Sequence, residues 1–124
     1  QSAQPFAVIL HIKLEQPNRK PIELETVLVK VASRCNINCG YCYVYHLGDT
    51  NWKNLPRQIS DETVDAVASQ LSELSLKQHR PFAVVLHGGE PLLLGHARLE
   101  RLIFSLRDAL AEECSISLQT NGIL

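Results

Sequence analysis

The stretch that most constrains this chain is Thr26-Val27-Leu28-Val29-Lys30-Val31-Ala32, which leads within three residues into Cys35, followed by Cys39 and Cys42. The run is rich in β-branched residues, lacks Gly and Pro, and is apolar on both faces apart from Lys30. A strand of that kind has to be covered on both sides, as in a parallel sheet of an α/β protein. The thiols then fall at the carboxyl end of the strand, where α/β sheets place their ligands. Three thiols in one short loop form a soft donor set, which selects iron–sulfur clusters, zinc or copper(I) over hard cations.

The remaining sequence supplies the partners such a strand needs. After a connection over 48–56, Ser60 offers an N-cap, Asp61 and Glu62 put negative charge in a first turn, and Val64, Val67, Ala68, Leu71 and Leu74 recur at helical spacing. Pro81 marks a boundary before a second buried strand over 82–87, whose end carries Gly88-Gly89-Glu90-Pro91. A helix over 96–112 follows, with Leu99, Leu102, Ile103, Leu106 and Leu110 on one stripe, and then a third strand over 115–119. This order predicts right-handed βαβ units with the loop chemistry on one edge of a parallel sheet. Ahead of it, residues 6–14 alternate apolar side chains at Phe6, Val8, Leu10, Ile12 and Leu14, residues 16–21 read as a turn, and 22–25 alternate again. A β-hairpin is expected there, with a short helix as the competing form of 6–14. The division expected is an N-terminal extension over 1–25 and a core over 26–124.

Charge and cysteine usage narrow the classes. With a net charge of −1 there is no basic footprint for nucleic acid, no run crosses a bilayer, and the first residues lack a signal-peptide pattern. The expected location is the cytoplasm, with neither nucleic acid nor membrane as partner. Crowding of three cysteines in one loop, with Cys114 far off, favours a metal over two disulfides. On ligand chemistry alone a tetrahedral Cys3His zinc site, with His46 as fourth ligand, stays open. The chain has no methionine and stops at Thr120-Asn121-Gly122-Ile123-Leu124, where a strand should hand over to a helix. It therefore reads as a piece of a longer protein.

Cys-x3-Cys-x2-Cys after a first strand, Tyr41 directly before the last cysteine, and Gly88-Gly89-Glu90 after a second strand resemble the radical SAM enzymes. The resemblance implies an α/β fold, the first half of a partial (β/α)6 barrel truncated after its third core strand. It implies a [4Fe–4S] cluster on Cys35, Cys39 and Cys42, with S-adenosyl-L-methionine on the open iron. Gly88 and Gly89 match the backbone that lies near the methionine part of that cofactor, Glu90 fixes the loop or complements its amino group, and Tyr41 matches the position near the adenine. Thr120, Asn121 and Gly122 resemble the Thr-Asn-Gly of the peptide-maturing branch, and Asn121 is counted with the cofactor contacts.

Further stretches, Val29-Lys30-Val31-Ala32-Ser33-Arg34-Cys35-Asn36, Cys42-Tyr43-Val44-Tyr45, the Trp52 region, Leu86-His87-Gly88-Gly89-Glu90-Pro91-Leu92 and Gln119-Thr120-Asn121-Gly122, resemble the radical SAM/SPASM maturases of ribosomal peptides, especially the cyclophane-forming ones. That likeness implies an oxidoreductase in which a 5′-deoxyadenosyl radical takes hydrogen from a β-carbon of a precursor peptide, and that carbon joins an aromatic ring. It also implies an electron donor such as flavodoxin or ferredoxin, and auxiliary clusters held by sequence beyond this stretch. A sulfatase-activating maturase or other SPASM-type enzyme is the nearest rival. No catalytic proton or electron relay residue is assigned. Tyr43 and Tyr45 are expected to pack the barrel mouth, His87 to be a hydrogen-bonded structural histidine, Cys114 a buried small hydrophobe, and Trp52 a loop anchor. His11, His79 and His96 have no partner at metal-ligand spacing. The sheet face away from the helices and the edge of the last strand are expected to expose apolar side chains.

Overall fold

Alternating strand and helix patterns become alternating strands and helices. The computed structural model describes Lys20 and residues 22–124. In chain order these form β1 (Thr26–Ala32), a 3-10 turn (Asn51–Asn54), α1 (Asp61–Gln78), β2 (Ala83–Gly88), a second 3-10 turn (Pro91–Leu94), α2 (His96–Ala109) and β3 (Ile116–Leu118). The three strands make one parallel sheet in the order β1-β2-β3. This is the α/β architecture expected, consistent with part of a radical SAM barrel.

Register decides which side chains meet the helices. Val27 pairs with Val84 and Val29 with Leu86, while Val84 and Leu86 pair with Ile116 and Leu118. Because side chains alternate along a strand, these residues share one face. Val29, Val31, Val84 and Leu86 are buried there with Val64, Ala68 and Leu71 of α1 and Leu102 and Leu106 of α2. The expected N-cap is in place: the Ser60 hydroxyl accepts from the Thr63 amide at 3.2 Å. α1 ends at His79, whose φ of 53° lies in the left-handed region that terminates helices. Arg101 donates to Asp61 at 3.0 Å and ties the two helices together at their exposed side.

Two boundaries differ from expectation for reasons visible in the chain. α2 stops at Ala109 rather than near 112, because Leu110 adopts an extended conformation and turns into the core. The Arg107 guanidinium then donates to the carbonyl of Cys114, whose thiol side chain is fully buried. β3 covers three residues rather than five, although Val84 donates to Ser115 and Gln119 to Leu86, so the ladder continues past its assigned ends.

The first arm of the expected N-terminal hairpin lies outside the described residues. Residues 22–25, its second arm, carry no strand. A side chain takes the place of a strand partner at Leu24: the Gln78 carboxamide accepts from the Leu24 amide at 2.9 Å and donates to the Leu24 carbonyl at 2.7 Å.

The face away from the helices is mixed rather than uniformly apolar. Leu28 is 51% exposed and Val85 half-buried, but Lys30 and Ser117 share that face and are exposed. The edge of β3 is the more apolar part. Leu118 is exposed, and a hollow of about 320 Å3 opens beside it, lined by Leu86, Ile103, Arg107, Ile116, Ser117 and Leu118.

Candidate functional site

The site begins where β1 leaves the sheet. Ser33 donates its amide to Arg57 at 3.0 Å and its hydroxyl to Pro56 at 2.6 Å, and Ile59 donates to Val31 at 2.9 Å. These bonds lay the segment before α1 alongside the stem of the cysteine loop, with an antiparallel bridge between Ala32 and Gln58. Arg34 then turns back: its guanidinium donates to the Ser33 hydroxyl at 2.7 Å and the Trp52 carbonyl at 2.6 Å and sits 5.0 Å from the centre of the Trp52 ring. Tyr45 closes the far side. Its ring meets Trp52 edge-on at 4.8 Å and its hydroxyl donates to the Ser33 carbonyl at 3.0 Å. Trp52 is thus the loop anchor expected, and Tyr45 the packing residue expected.

The Gly-Gly-Glu loop is zipped onto that same stem. Gly89 donates to the Ala32 carbonyl at 3.0 Å and Glu90 to the Arg34 carbonyl at 2.9 Å, so pairing between β1 and β2 continues beyond both strands. Neither glycine can carry a side chain. At Gly88, whose φ is +139°, a Cβ would stand 2.2 Å from the Ala32 carbonyl oxygen; at Gly89 it would stand 2.1 Å from that of Arg34 and 2.2 Å from the Tyr45 hydroxyl. Such distances lie far inside van der Waals contact. The absent Cβ therefore has a cause within the chain itself, the close approach of two backbones, besides the approach to a cofactor that the sequence pattern implies.

Glu90 is 1% exposed, yet its carboxylate is fully engaged. One oxygen accepts from the Thr120 hydroxyl at 2.6 Å and the Leu92 amide at 3.1 Å, and the other from the Asn121 amide at 2.8 Å. Burial pushes its pKa up, but the hydrogen bonds from Asn121, Thr120 and Leu92 outweigh this and hold the carboxyl below its ordinary value of 4.5. Of the two roles weighed for Glu90, fixing the loop is the one visible here. It joins the end of β2 to the end of β3. Asn121 reaches onward, its carboxamide donating to Asn36 Oδ1 at 2.8 Å and standing 3.8 Å from Cys35 Sγ.

The three thiols of Cys35, Cys39 and Cys42 are free and half-buried. Cys42 donates its amide to the Cys39 carbonyl at 3.0 Å, a turn that keeps these two adjacent. Among the described residues no group of three or more His, Cys, Asp or Glu side chains is drawn to metal-holding distance. His46, the fourth ligand that a zinc site would need, is exposed and paired with Asn38 Oδ1 at 2.7 Å. The tyrosines register the sulfurs nevertheless. The nearness of Cys39 first, then burial and Cys42, raises the pKa of Tyr41; burial, then Cys35 and Cys42, raises that of Tyr45. Tyr41, expected near the adenine, is 91% exposed.

His87 lies on the face away from the helices, buried, with Nε2 3.4 Å from the Tyr43 hydroxyl and Nδ1 without a partner among the described residues. Burial first, and the charge of Lys30 second, lower its pKa, so the ring is neutral at pH 7. It is half of the hydrogen-bonded structural histidine that was expected. Tyr43 is more exposed than a packing role predicts, and its hydroxyl serves as the partner of His87. Two features had no separate signal in the sequence: the Gln78 clamp on Leu24 and the reach of Asn121 to the cysteine loop.

Fold and site together define an α/β protein with a three-thiol loop and a glycine-backed loop at the carboxyl edge of one parallel sheet. The chain belongs to the radical SAM superfamily, whose family model matches residues 29–124. That family uses a [4Fe–4S] cluster and S-adenosylmethionine. The chain is 32% identical over 115 residues to a GTP 3',8-cyclase of Acidothermus cellulolyticus, covering 90% of this chain and 30% of that protein. It is 33% identical over 102 residues to a cysteine-type anaerobic sulfatase-maturating enzyme of Clostridium perfringens, covering 80% of this chain and 27% of that protein. Among solved structures it is similar to histidine-tagged anSMEcpe with bound AdoMet, at 25% identity and a TM-score of 0.59, covering 82% of this chain and 26% of that one. The chain spans less than a third of the length of these relatives. No helix among the described residues is long and apolar enough to cross a membrane.

The donor set fits the family's cluster. Three thiols in one loop, none tied in a disulfide, with the nearby histidine otherwise engaged, are the soft donors that would give sulfur-only ligation by three residues once drawn together.

Proposed function

We propose that this chain is the cluster-binding and S-adenosylmethionine-binding part of a radical SAM enzyme that modifies a ribosomally made precursor peptide, joining a side-chain β-carbon to an aromatic ring. The observation that carries the reading is the conjunction at one sheet edge of the three-thiol loop with the Gly88-Gly89-Glu90 loop hydrogen-bonded to its stem. In this reading Cys35, Cys39 and Cys42 hold the cluster. Gly88 and Gly89 present backbone to the cofactor, Glu90 keeps that backbone in place through its bonds to Thr120 and Asn121, and Tyr41 covers the adenine with a ring that is exposed until the cofactor arrives. The bound group supplies hydrogen-atom abstraction from an unactivated carbon, while the protein orients the reactants. A small electron-transfer protein such as flavodoxin or ferredoxin supplies the reducing electron. Auxiliary clusters, where the whole enzyme has them, are held by residues outside this stretch.

Likeness to a sulfatase-maturating enzyme supports a polypeptide as substrate. Likeness to a GTP 3',8-cyclase favours a nucleotide as the second reading. Anaerobic reconstitution of the whole enzyme, followed by separate incubation with its neighbouring precursor peptide and with GTP, tests the choice. The expected results are iron and sulfide in the protein and loss of two hydrogens from the peptide by mass spectrometry. An unchanged peptide with consumption of GTP would establish the nucleotide reading, and a colourless protein with one zinc and no iron would refute both.

A further inference from the structure

Asn121 is exposed, yet each polar atom of its side chain is committed. Its Oδ1 accepts from the Ile123 amide at 3.1 Å, which fixes which end of the carboxamide is oxygen. The amino end then faces the cysteine loop with two hydrogens to give. One goes to Asn36 Oδ1 at 2.8 Å, and the other group within reach is Cys35 Sγ at 3.8 Å. The backbone of Asn121 is held independently, because its amide donates to the buried Glu90 carboxylate. The buried clamp thus sets where the Asn121 side chain starts, and its bonds to Ile123 and Asn36 set its direction toward Cys35.

Among the described residues Cys35 has one other side-chain partner, Asn36 Oδ1 at 3.9 Å, to which only a thiol can donate. A thiolate bound to iron has no hydrogen left to give. Its sulfur then turns from donor to acceptor, and the Asn121 amino group is the donor placed to meet it.

We infer that Asn121 is a positioning residue that donates an N–H···S hydrogen bond to the Cys35 ligand and thereby raises the reduction potential of the cluster. This rests on the function proposed above. A hydrogen bond to a cluster sulfur disperses negative charge, which favours the more negative, reduced state.

The test uses the whole enzyme, reconstituted anaerobically, with a potentiometric titration followed by the electron paramagnetic resonance signal of the reduced cluster. Asn121→Ala keeps the backbone bond to Glu90 and removes the donor. It should hold iron and sulfide at the wild-type ratio while its signal develops at a more negative potential, and Asn121→Gln, which returns a donor on a longer arm, should recover part of the shift. Equal potentials and spectra at equal iron content would overturn the inference. Should Asn121→Ala lose its cluster, Asn121→Leu decides, because it keeps the bulk beside the cysteine loop and the backbone bond to Glu90 but has no N–H to give. A more negative potential there supports the N–H···S bond, and a wild-type potential overturns it. Wild-type enzyme that takes up no iron would refute the proposed function, whatever the variants do.

Discussion

Glu90→Gln isolates the bond network that joins β2 to β3. The carboxylate accepts three hydrogen bonds, two on Oε1 and one on Oε2. A glutamine of the same shape keeps its oxygen where Thr120 and Leu92 donate and sets an amino group against the Asn121 amide, donor facing donor. One charge-assisted bond is lost, which costs about 1.5–3 kcal/mol. Asn121 is exposed, so water recovers part of this, and a local cost of about 1.5–2 kcal/mol is expected. At about 1.4 kcal/mol per factor of ten, the Asn121 amide should exchange with deuterium roughly ten to thirty times faster. Amides inside α1 should keep their rates. Exchange measured on wild-type and variant enzyme at equal pH reads this directly. An unchanged rate at Asn121, or a parallel rise in α1, would refute the clamp.

Three further outcomes follow from the geometry. Gly89→Ala places a methyl group 2.1 Å from the Arg34 carbonyl oxygen, so it should lower the thermal midpoint by the equivalent of at least ~1–3 kcal/mol and impair iron uptake; a wild-type midpoint would contradict the close approach. Acid should destabilise the fold in two steps of the same sign. The His87 pKa is lowered, so the unfolded chain takes up its proton first as pH falls through 6.5, and the lowered Glu90 pKa costs stability once pH falls below 4.5. His87→Gln should remove the upper step of a melting-temperature profile and leave the lower one. Leu106→Ala empties a site that is 1% exposed between α2 and the sheet, and should cost about 2–5 kcal/mol in a denaturant titration.

The core was readable because its signals are local and periodic. Val29 and Val31, Val64 and Leu71, and Leu102 and Leu106 are buried at the spacings that strands and helices require. Cys35, Cys39, Cys42 and Gly88-Gly89-Glu90 stood out by residue type and by their place after strands, and the sheet does bring the two loops together. What the sequence concealed involves partners far apart along the chain. Nothing in residues 22–25 announces that Gln78 will satisfy the backbone of Leu24, so alternation there read as a strand. The glycines pointed to a cofactor, whereas their tightest neighbours are the carbonyls of Ala32 and Arg34. Thr120 and Asn121 were visible as a pair without a role, because their partner Glu90 lies 30 and 31 residues away.

The contact between Tyr45 and Trp52 has a consequence for how this chain tolerates change. It pinches together the two ends of residues 46–51, which are exposed throughout. Length added inside that excursion alters a closed surface loop at small entropic cost, since closure entropy grows only slowly with length. The cysteine spacing upstream and the entry into α1 downstream stay fixed, because Arg34, Tyr45 and Ser33 hold the neck. Residues 47–50, between the His46 contacts with the cysteine loop and the turn that begins at Asn51, are thus the position at which a homologue can lengthen, or an engineer can graft a recognition peptide, without moving that loop.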